Sequence, residues 1–289
     1  MLDFESEYVA WRKSRLESWS KLSVVDFTTI DDPKNIADIE YQAIKAQCRQ
    51  NNLAFYRIRD TKAADKTTIR QLAADFGMLR LDQNLCADND SISSLHVMNV
   101  GRAKGYIPYT NSALNWHTDG YYNQRDQYIR SFLLHCVQSA LSGGCNMLIN
   151  HELIYIHLYD KNPSLIHSLM QPDVMTIPAN IENGQEIRPV QSGPVFYRDT
   201  QTNTLQMRYT SRSRSIRWKQ DSNVQQAIAM IEACLSNDEF VLKYTLQPGE
   251  GLLCNNILHG RSAFTNGNIP EQQRVMYRAR SYNRLFSGQ

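Results

Sequence analysis

At about residue 94 the chain changes character, and that change limits its fold more than any other feature. The first eighty residues read as helical and mixed. Residues 5–19 and 35–50 carry helix formers, Leu53-Ala54-Phe55-Tyr56-Arg57-Ile58 reads as a strand, and Thr67 to Phe76 as a helix stopped by Gly77. Beyond them come short β-rich runs at 94–100, 128–137, 145–150, 193–198, 204–210, 239–246, 251–256 and 273–283, parted by turns such as Ser142-Gly143-Gly144 and Gln247-Pro248-Gly249. Two helical inserts interrupt these runs, near 151–170 and 222–235. The second sets Val224, Ala227, Ile228, Ile231, Cys234 and Leu235 at helical spacing, which predicts a surface helix with one apolar face down. Many short strands with helices outside predict a mainly β fold with peripheral helices, a two-sheet jelly-roll barrel. No repeat or Pro/Gly/Ser-rich linker divides the 289 residues. One domain is expected, with 1–90 as a helical and mixed portion packing on a core of 91–289.

Charge narrows the partners. The net charge is +2, from 31 basic and 29 acidic residues, whereas a phosphate-backbone binder needs a concentrated basic surface. A small-molecule substrate is therefore expected rather than nucleic acid. There is no run of ~18 apolar residues to span a membrane. Met1-Leu2-Asp3-Phe4-Glu5 lacks the basic start and apolar stretch of a secretory signal. The six cysteines, Cys48, Cys86, Cys136, Cys145, Cys234 and Cys254, include no CxxC pair. They read as reduced residues of a cytoplasmic protein.

The chemistry centres on Asn115-Trp116-His117-Thr118-Asp119. On a strand, alternate side chains share a face, so His117 and Asp119 would point the same way with Cα atoms ~7 Å apart. Alone the triplet is a weak signal. Its bland reading, a surface or hydrogen-bonded histidine, carries about equal weight. A second histidine, His259, follows the run Gly251-Leu252-Leu253-Cys254-Asn255-Asn256. Two histidines and one carboxylate make a facial triad that leaves three positions open on Fe(II), two for a keto acid and one for O₂.

Downstream, Arg274, Met276, Arg278 and Arg280 alternate along one strand and share a face. A barrel interior cannot bury repeated arginines without anionic partners. A dicarboxylate clamped by a guanidinium supplies one; structural ion pairs with Asp or Glu are the alternative.

Trp116-His117-Thr118-Asp119, Leu141-Ser142-Gly143-Gly144-Cys145-Asn146, Leu258-His259-Gly260-Arg261 and the closing Arg274-x-x-x-Arg278 together resemble the taurine dioxygenase family. The wider group includes clavaminate synthase and γ-butyrobetaine hydroxylase. Leu133-Leu134-His135-Cys136 is most similar to the γ-butyrobetaine hydroxylase branch. The resemblance runs from about 94 to 286, and the first eighty residues match only loosely. It implies a double-stranded β-helix of the clavaminate synthase-like kind, Fe(II), 2-oxoglutarate as co-substrate, O₂, and a homo-oligomer.

By the same resemblance His117, Asp119 and His259 hold the iron, Arg274 holds the distal carboxylate of 2-oxoglutarate, and Arg278 faces co-substrate or substrate. The family usually has Thr or Ser after its Gly-Gly turn, where this chain has Asn146, an amide able to donate the same bond. It also commonly has Asp-Asn upstream of the distal histidine, where this chain has Asn255-Asn256, a difference read as structural. Because related halogenases lack the carboxylate, Asp119 favours hydroxylation.

Trp116, Tyr121, Tyr122, Arg208 and Arg280 are the candidate substrate contacts, and the arginines point to an anionic or amino-acid-like substrate. Arg212, Arg214, Arg217 and Lys219 read as a solvated loop, and His96 and His135 as satisfied core histidines. Two other functions use the same ligands. A metal-dependent hydrolase would have no use for Arg274 at its place on the last strand. A non-catalytic jelly-roll binding protein differs only in turnover.

Overall fold

A computed structural model describes residues 4–23, 26–83, 91–98, 105–212 and 214–286. Its two main sheets contain, in chain order, β1 (Phe27–Ile30), β2 (Leu53–Ile58), β3 (Ser93–Leu95), β4 (Leu114–His117), β5 (Ser131–Gln138), β6 (Asn146–Ile149), β7 (Leu242–Tyr244), β8 (Glu250–Cys254), β9 (Leu258–Arg261) and β10 (Val275–Ser281). The larger sheet runs β1-β2-β8-β5-β10-β3 and the smaller β7-β6-β9-β4. Only β1 and β2 pair in parallel within them, because helix α2 (Asp38–Asn51) makes the crossover. Helices α1 (Phe4–Ser20), α3 (Lys66–Asp75), α4 (His151–Lys161), α5 (Pro163–Leu169) and α6 (Ser222–Leu235) complete the main elements.

Strand alternation sorts the apolar residues into three layers. Leu53 and Phe55 of β2, Phe132, Leu134 and Cys136 of β5, Leu252 and Cys254 of β8 and Met276 of β10 join Leu148 of β6 in a cluster between the sheets. The opposite set, with Tyr56, Leu133, Leu253 and Ala279, packs outward against α2 and α3. Ile149 and Leu258 face the other way from the small sheet, under α4, α5 and α6. The site therefore lies where two sheets face each other, with helices on both outer surfaces.

Local chemistry explains the element ends. Asp65 and Asp221 accept from the backbone N–H groups of Thr68 and Val224 and cap α3 and α6. α6 spans the expected 222–235. The insert at 151–170 is two helices rather than one, because Pro163 cannot continue α4 and Asn162 caps α5 through Ser164. The run at 193–198 is likewise two strands, 191–193 and 196–198. His96, expected in a strand core, is exposed just past β3. Residues 99–100 of the first expected run, and Cys86, lie outside the described residues; the five described cysteines are free. No helix among the described residues is long and apolar enough to cross a membrane.

One glycine makes room for a buried polar pair in the large sheet. Gly251 lies in β8 between Tyr56 and His135 on its two neighbours. The Tyr56 hydroxyl and His135 Nδ1 share a 3.1 Å hydrogen bond across it, with the rings stacked at 5.8 Å. Burial pushes His135 down to about 4, so the imidazole is neutral. A Cβ at position 251 would lie 2.3 Å from Tyr56 Cζ. Gly251→Ala is expected to lower stability by about 1–3 kcal/mol through overpacking. A urea midpoint that falls while the slope is unchanged checks this; an unshifted midpoint refutes it.

Candidate metal centre

β4 and β9 are antiparallel, and their register sets His117 directly opposite His259. The imidazole centroids are 4.3 Å apart, and Phe132 of the facing sheet packs 4.4 Å from the His259 ring. His117 Nδ1 lies 2.8 Å from the Asn115 carbonyl and His259 Nδ1 lies 2.9 Å from the Ile257 carbonyl. A carbonyl only accepts, so each Nδ1 carries a proton and Nε2 is the nitrogen left to face a metal. Burial, with His117 beside it, pushes His259 down to about 3 and keeps it neutral. Between the two histidines and Arg261 the register shifts by one residue, a bulge on β4 of the kind that re-aims side chains.

Asp119 completes the group, with the three ligand atoms all within 4.8 Å of one another. It is not on the strand. β4 ends at His117, and Asp119 sits in the turn that follows, with Gly120 at φ +65°. The ladder cannot continue there because Thr118 N–H turns to the Tyr209 carbonyl at 3.0 Å. Instead Asn256, itself at φ +47°, clamps the turn. Its Oδ1 accepts from Asp119 N–H at 2.8 Å, and its Nδ2 donates to the carbonyls of Asp119 (3.0 Å) and Ile129 (2.7 Å). Asn256 thus fixes the carboxylate's backbone from both sides, so the Asn255-Asn256 departure from the Asp-Asn pattern carries a positioning role at the site.

Burial alone would raise the Asp119 carboxyl, but Arg278, the nearby His117 and Arg280 hold it well below the usual range. Both arginines bring Nη1 to 3.7 Å from Oδ1, and His117 Nε2 is 3.8 Å away. Oδ2 is buried without a hydrogen-bond partner. Two imidazole lone pairs and an unpartnered ionised oxygen on one face are the donor set a divalent ion takes. The residues fit that metal.

The alternating arginines separate into different roles. Met276 faces the inter-sheet cluster, and Arg278 and Arg280 reach across to Asp119. Arg280 is also paired with Asp82 and donates to the Tyr122 hydroxyl at 3.3 Å, so its substrate role is taken over by structure. Arg278 keeps a buried Nε without a partner. Arg274, just before β10, projects into a small cavity with Cys136, Gly144, Asn146, Leu246 and Met276. Burial lowers it to about 10, so it remains a cation at neutral pH, and no carboxylate pairs with it among the described residues. Asn146 lines the same cavity but donates Nδ2 to the Tyr244 carbonyl at 3.2 Å. Across β6 and β9, Asn146 pairs with Arg261 and Leu148 with His259. The cavity is thus one two-residue step, ~7 Å, along the sheet from the metal histidine.

Two other expected substrate contacts lie elsewhere. Trp116 alternates to the face opposite His117 and packs under the α4–α6 helices. Arg208 is buried, and its donors go to the carbonyls of Tyr121 (2.6 Å), Met175 (3.0 Å), Gly193 (3.4 Å) and Gln191 (3.1 Å). It is a pin rather than a ligand. Tyr121 does stand at the site, its ring edge-on to His117 at 6.4 Å, with Tyr122 5.1 Å beyond.

The family of taurine catabolism dioxygenase TauD, TfdA matches residues 27–280. Two curated relatives, both named uridine-5'-phosphate dioxygenase, are 26% identical. That from Amycolatopsis sp aligns over 57% of this chain and 59% of its own length, so the chain spans about six-tenths of it. That from Streptomyces sp aligns over 68% and 71%. Among solved structures, an asparagine oxygenase in complex with Fe(II), 3-hydroxyasparagine and succinate superposes with a TM-score of 0.61 at 13% identity, over 97% of this chain and 92% of the other. That likeness is one of fold.

The Asn256 clamp generates a prediction. Asn256→Gly keeps the left-handed backbone but loses all three hydrogen bonds, and is expected to weaken divalent-metal affinity by about 10–100-fold. Anaerobic Fe(II) titration of the folded variant checks this; wild-type affinity there would show that the clamp does not set the ligand.

Proposed function

The chain belongs to the taurine catabolism dioxygenase TauD, TfdA family, and from that premise we propose that it is an iron(II)- and 2-oxoglutarate-dependent dioxygenase acting on a small molecule. The observation that carries this is the meeting of two kinds of unsatisfied group. Three metal-donor atoms are gathered within 4.8 Å, and an unpaired buried cation, Arg274, stands one sheet step away. A five-carbon diacid with one end at the metal and the other at Arg274 satisfies both.

In this reading His117, Asp119 and His259 hold iron, and Arg274 receives the distal carboxylate of 2-oxoglutarate. Arg278 neutralises charge beside Asp119, and Asn146 shapes the carboxylate cavity. When bound, iron with 2-oxoglutarate and O₂ supplies the oxidising chemistry, in which one oxygen atom enters succinate as CO₂ leaves and the other enters the substrate C–H bond as hydroxyl. The chain's own work is positional. Nδ1 bonds orient both imidazoles, the Asn256 clamp holds the carboxylate, and Phe132 and the inter-sheet cluster keep one side of the centre apolar. No side chain is required as a general base. A zinc hydrolase would share the three donors but leave Arg274 without an anion.

The two facing sheets support a jelly-roll of the double-stranded β-helix kind, and the absence of any linker supports a single domain over 1–289. Cytoplasmic location and homo-oligomerisation rest on the sequence and its resemblance.

Two variants separate the parts. His259→Ala is expected to lose Fe(II) binding and to reduce succinate release to background. Arg274→Met is expected to keep iron and raise the KM for 2-oxoglutarate by about 10–100-fold, the cost of a lost charge-assisted bond. Succinate assayed against 2-oxoglutarate concentration decides both. Activity of His259→Ala at the wild-type level would end the proposal.

A further inference from the structure

Besides Arg274, three arginines near the candidate metal centre are already committed. Arg208 is spent on carbonyls, Arg280 on Asp82 and Tyr122, and Arg278 lies beside Asp119. Arg188 and Arg212 keep more of their donors free: Arg188 gives two of its five N–H groups to carbonyls, Arg212 gives one to a hydroxyl, and neither forms an ion pair among the described residues.

They come from separate segments and meet the same aromatic pair. Arg212, in the loop after 205–207, donates Nη1 to the Tyr121 hydroxyl at 3.0 Å. Arg188, at the end of the 185–188 strand, stands with Cζ 5.8 Å from the Tyr122 ring centroid. Its position is fixed by bonds from Nη1 to the Pro189 carbonyl (3.0 Å) and from Nη2 to the Pro178 carbonyl (2.7 Å). Glu182, in the same hairpin, accepts from Tyr106 and Asn180. Tyr121 and Tyr122 touch at 81°, and Tyr121 is the ring that abuts His117. The tyrosine pair beside His117 therefore carries two guanidiniums, Arg212 exposed and Arg188 half-buried, without a carboxylate partner among the described residues.

We propose that the primary substrate is a phosphate monoester, with Arg188 and Arg212 gripping its phosphate over the Tyr121–Tyr122 pair and its reactive carbon turned toward His117 and His259. This rests on the function proposed above. A carboxylate fills one guanidinium fork with its two oxygens. A phosphate monoester near pH 7 carries close to two charges on three terminal oxygens, enough for two forks arriving from different sides. Arg212 and Arg188 are then specificity residues, and the phosphate is an anchor that takes no part in the oxidation.

The test is anaerobic binding to the protein loaded with Fe(II) and 2-oxoglutarate, using uridine 5'-phosphate, uridine and inorganic phosphate as probes. Uridine 5'-phosphate and inorganic phosphate are expected to bind, and uridine roughly tenfold or more weakly than its phosphate. Arg188→Gln and Arg212→Gln should each weaken the phosphate-bearing probes by about tenfold and leave uridine unchanged. Arg188→Lys should recover part of the loss. Arg217→Gln, an exposed charge in the same basic run, should change nothing. Equal weakening of uridine and its phosphate, the same loss in Arg217→Gln, or no phosphate binding in the wild type overturns the proposal. Failure of iron or 2-oxoglutarate to bind overturns the proposed function, and this proposal with it; binding of both without any phosphate probe overturns this proposal alone.

Discussion

A carboxylate taken out of water must be surrounded by positive charge or donors, and Asp119 sets that requirement for everything near it. Its backbone is held by Asn256, its Oδ1 faces two guanidiniums, and its Oδ2 has no protein partner. A fully satisfied carboxylate would be a structural ion pair. One left half-satisfied beside two imidazoles is a place for a cation to arrive. The paired strands β4 and β9, the bulge between them and the turn after His117 all serve that placement.

Charge balance extends the same logic outward. Arg278, Arg280 and Arg274 all emerge from the last strand or its edge, yet only Arg280 has a carboxylate partner of its own in Asp82. Three guanidiniums along that strand thus face two carboxylates, Asp82 and Asp119, among the described residues. Gly144 shows how closely the cavity is built around one of these cations. A Cβ there would lie 3.3 Å from Arg274 Nε, and the backbone stands at φ +73°. Both demands are met by having no side chain.

How much of this was legible in the sequence depends on whether a feature is set by neighbours in the chain or by contacts across it. α6 is readable because its apolar residues recur at helical spacing and Asp221 stands at its start. The three donors are readable as residue types in a motif, and alternation along the last strand predicts that Arg274, Met276, Arg278 and Arg280 share a face, although the strand begins only at Val275. The break at Pro163 was there to be read. The exit of Asp119 from its strand was not, because it depends on Thr118 meeting Tyr209 from a segment ninety residues later. Trp116 stands next to His117, and the same alternation that helps the histidine turns the indole away. Arg208 looked like a substrate contact because an arginine's sequence does not disclose whether its donors will find carbonyls. Asn256 was undervalued for the converse reason: its amide reaches a residue far away in the chain. β1 was missed because a four-residue parallel edge strand has little pattern of its own.

Arg208 also joins two regions that the chain keeps apart. Its guanidinium ties the Tyr121 carbonyl, two residues from the metal carboxylate, to the carbonyls of Met175, Gln191 and Gly193 in a separate three-stranded sheet formed by residues 175–177, 191–193 and 217–218. Removing that side chain would therefore take a donor from four carbonyls at once, one of them two residues from the metal carboxylate.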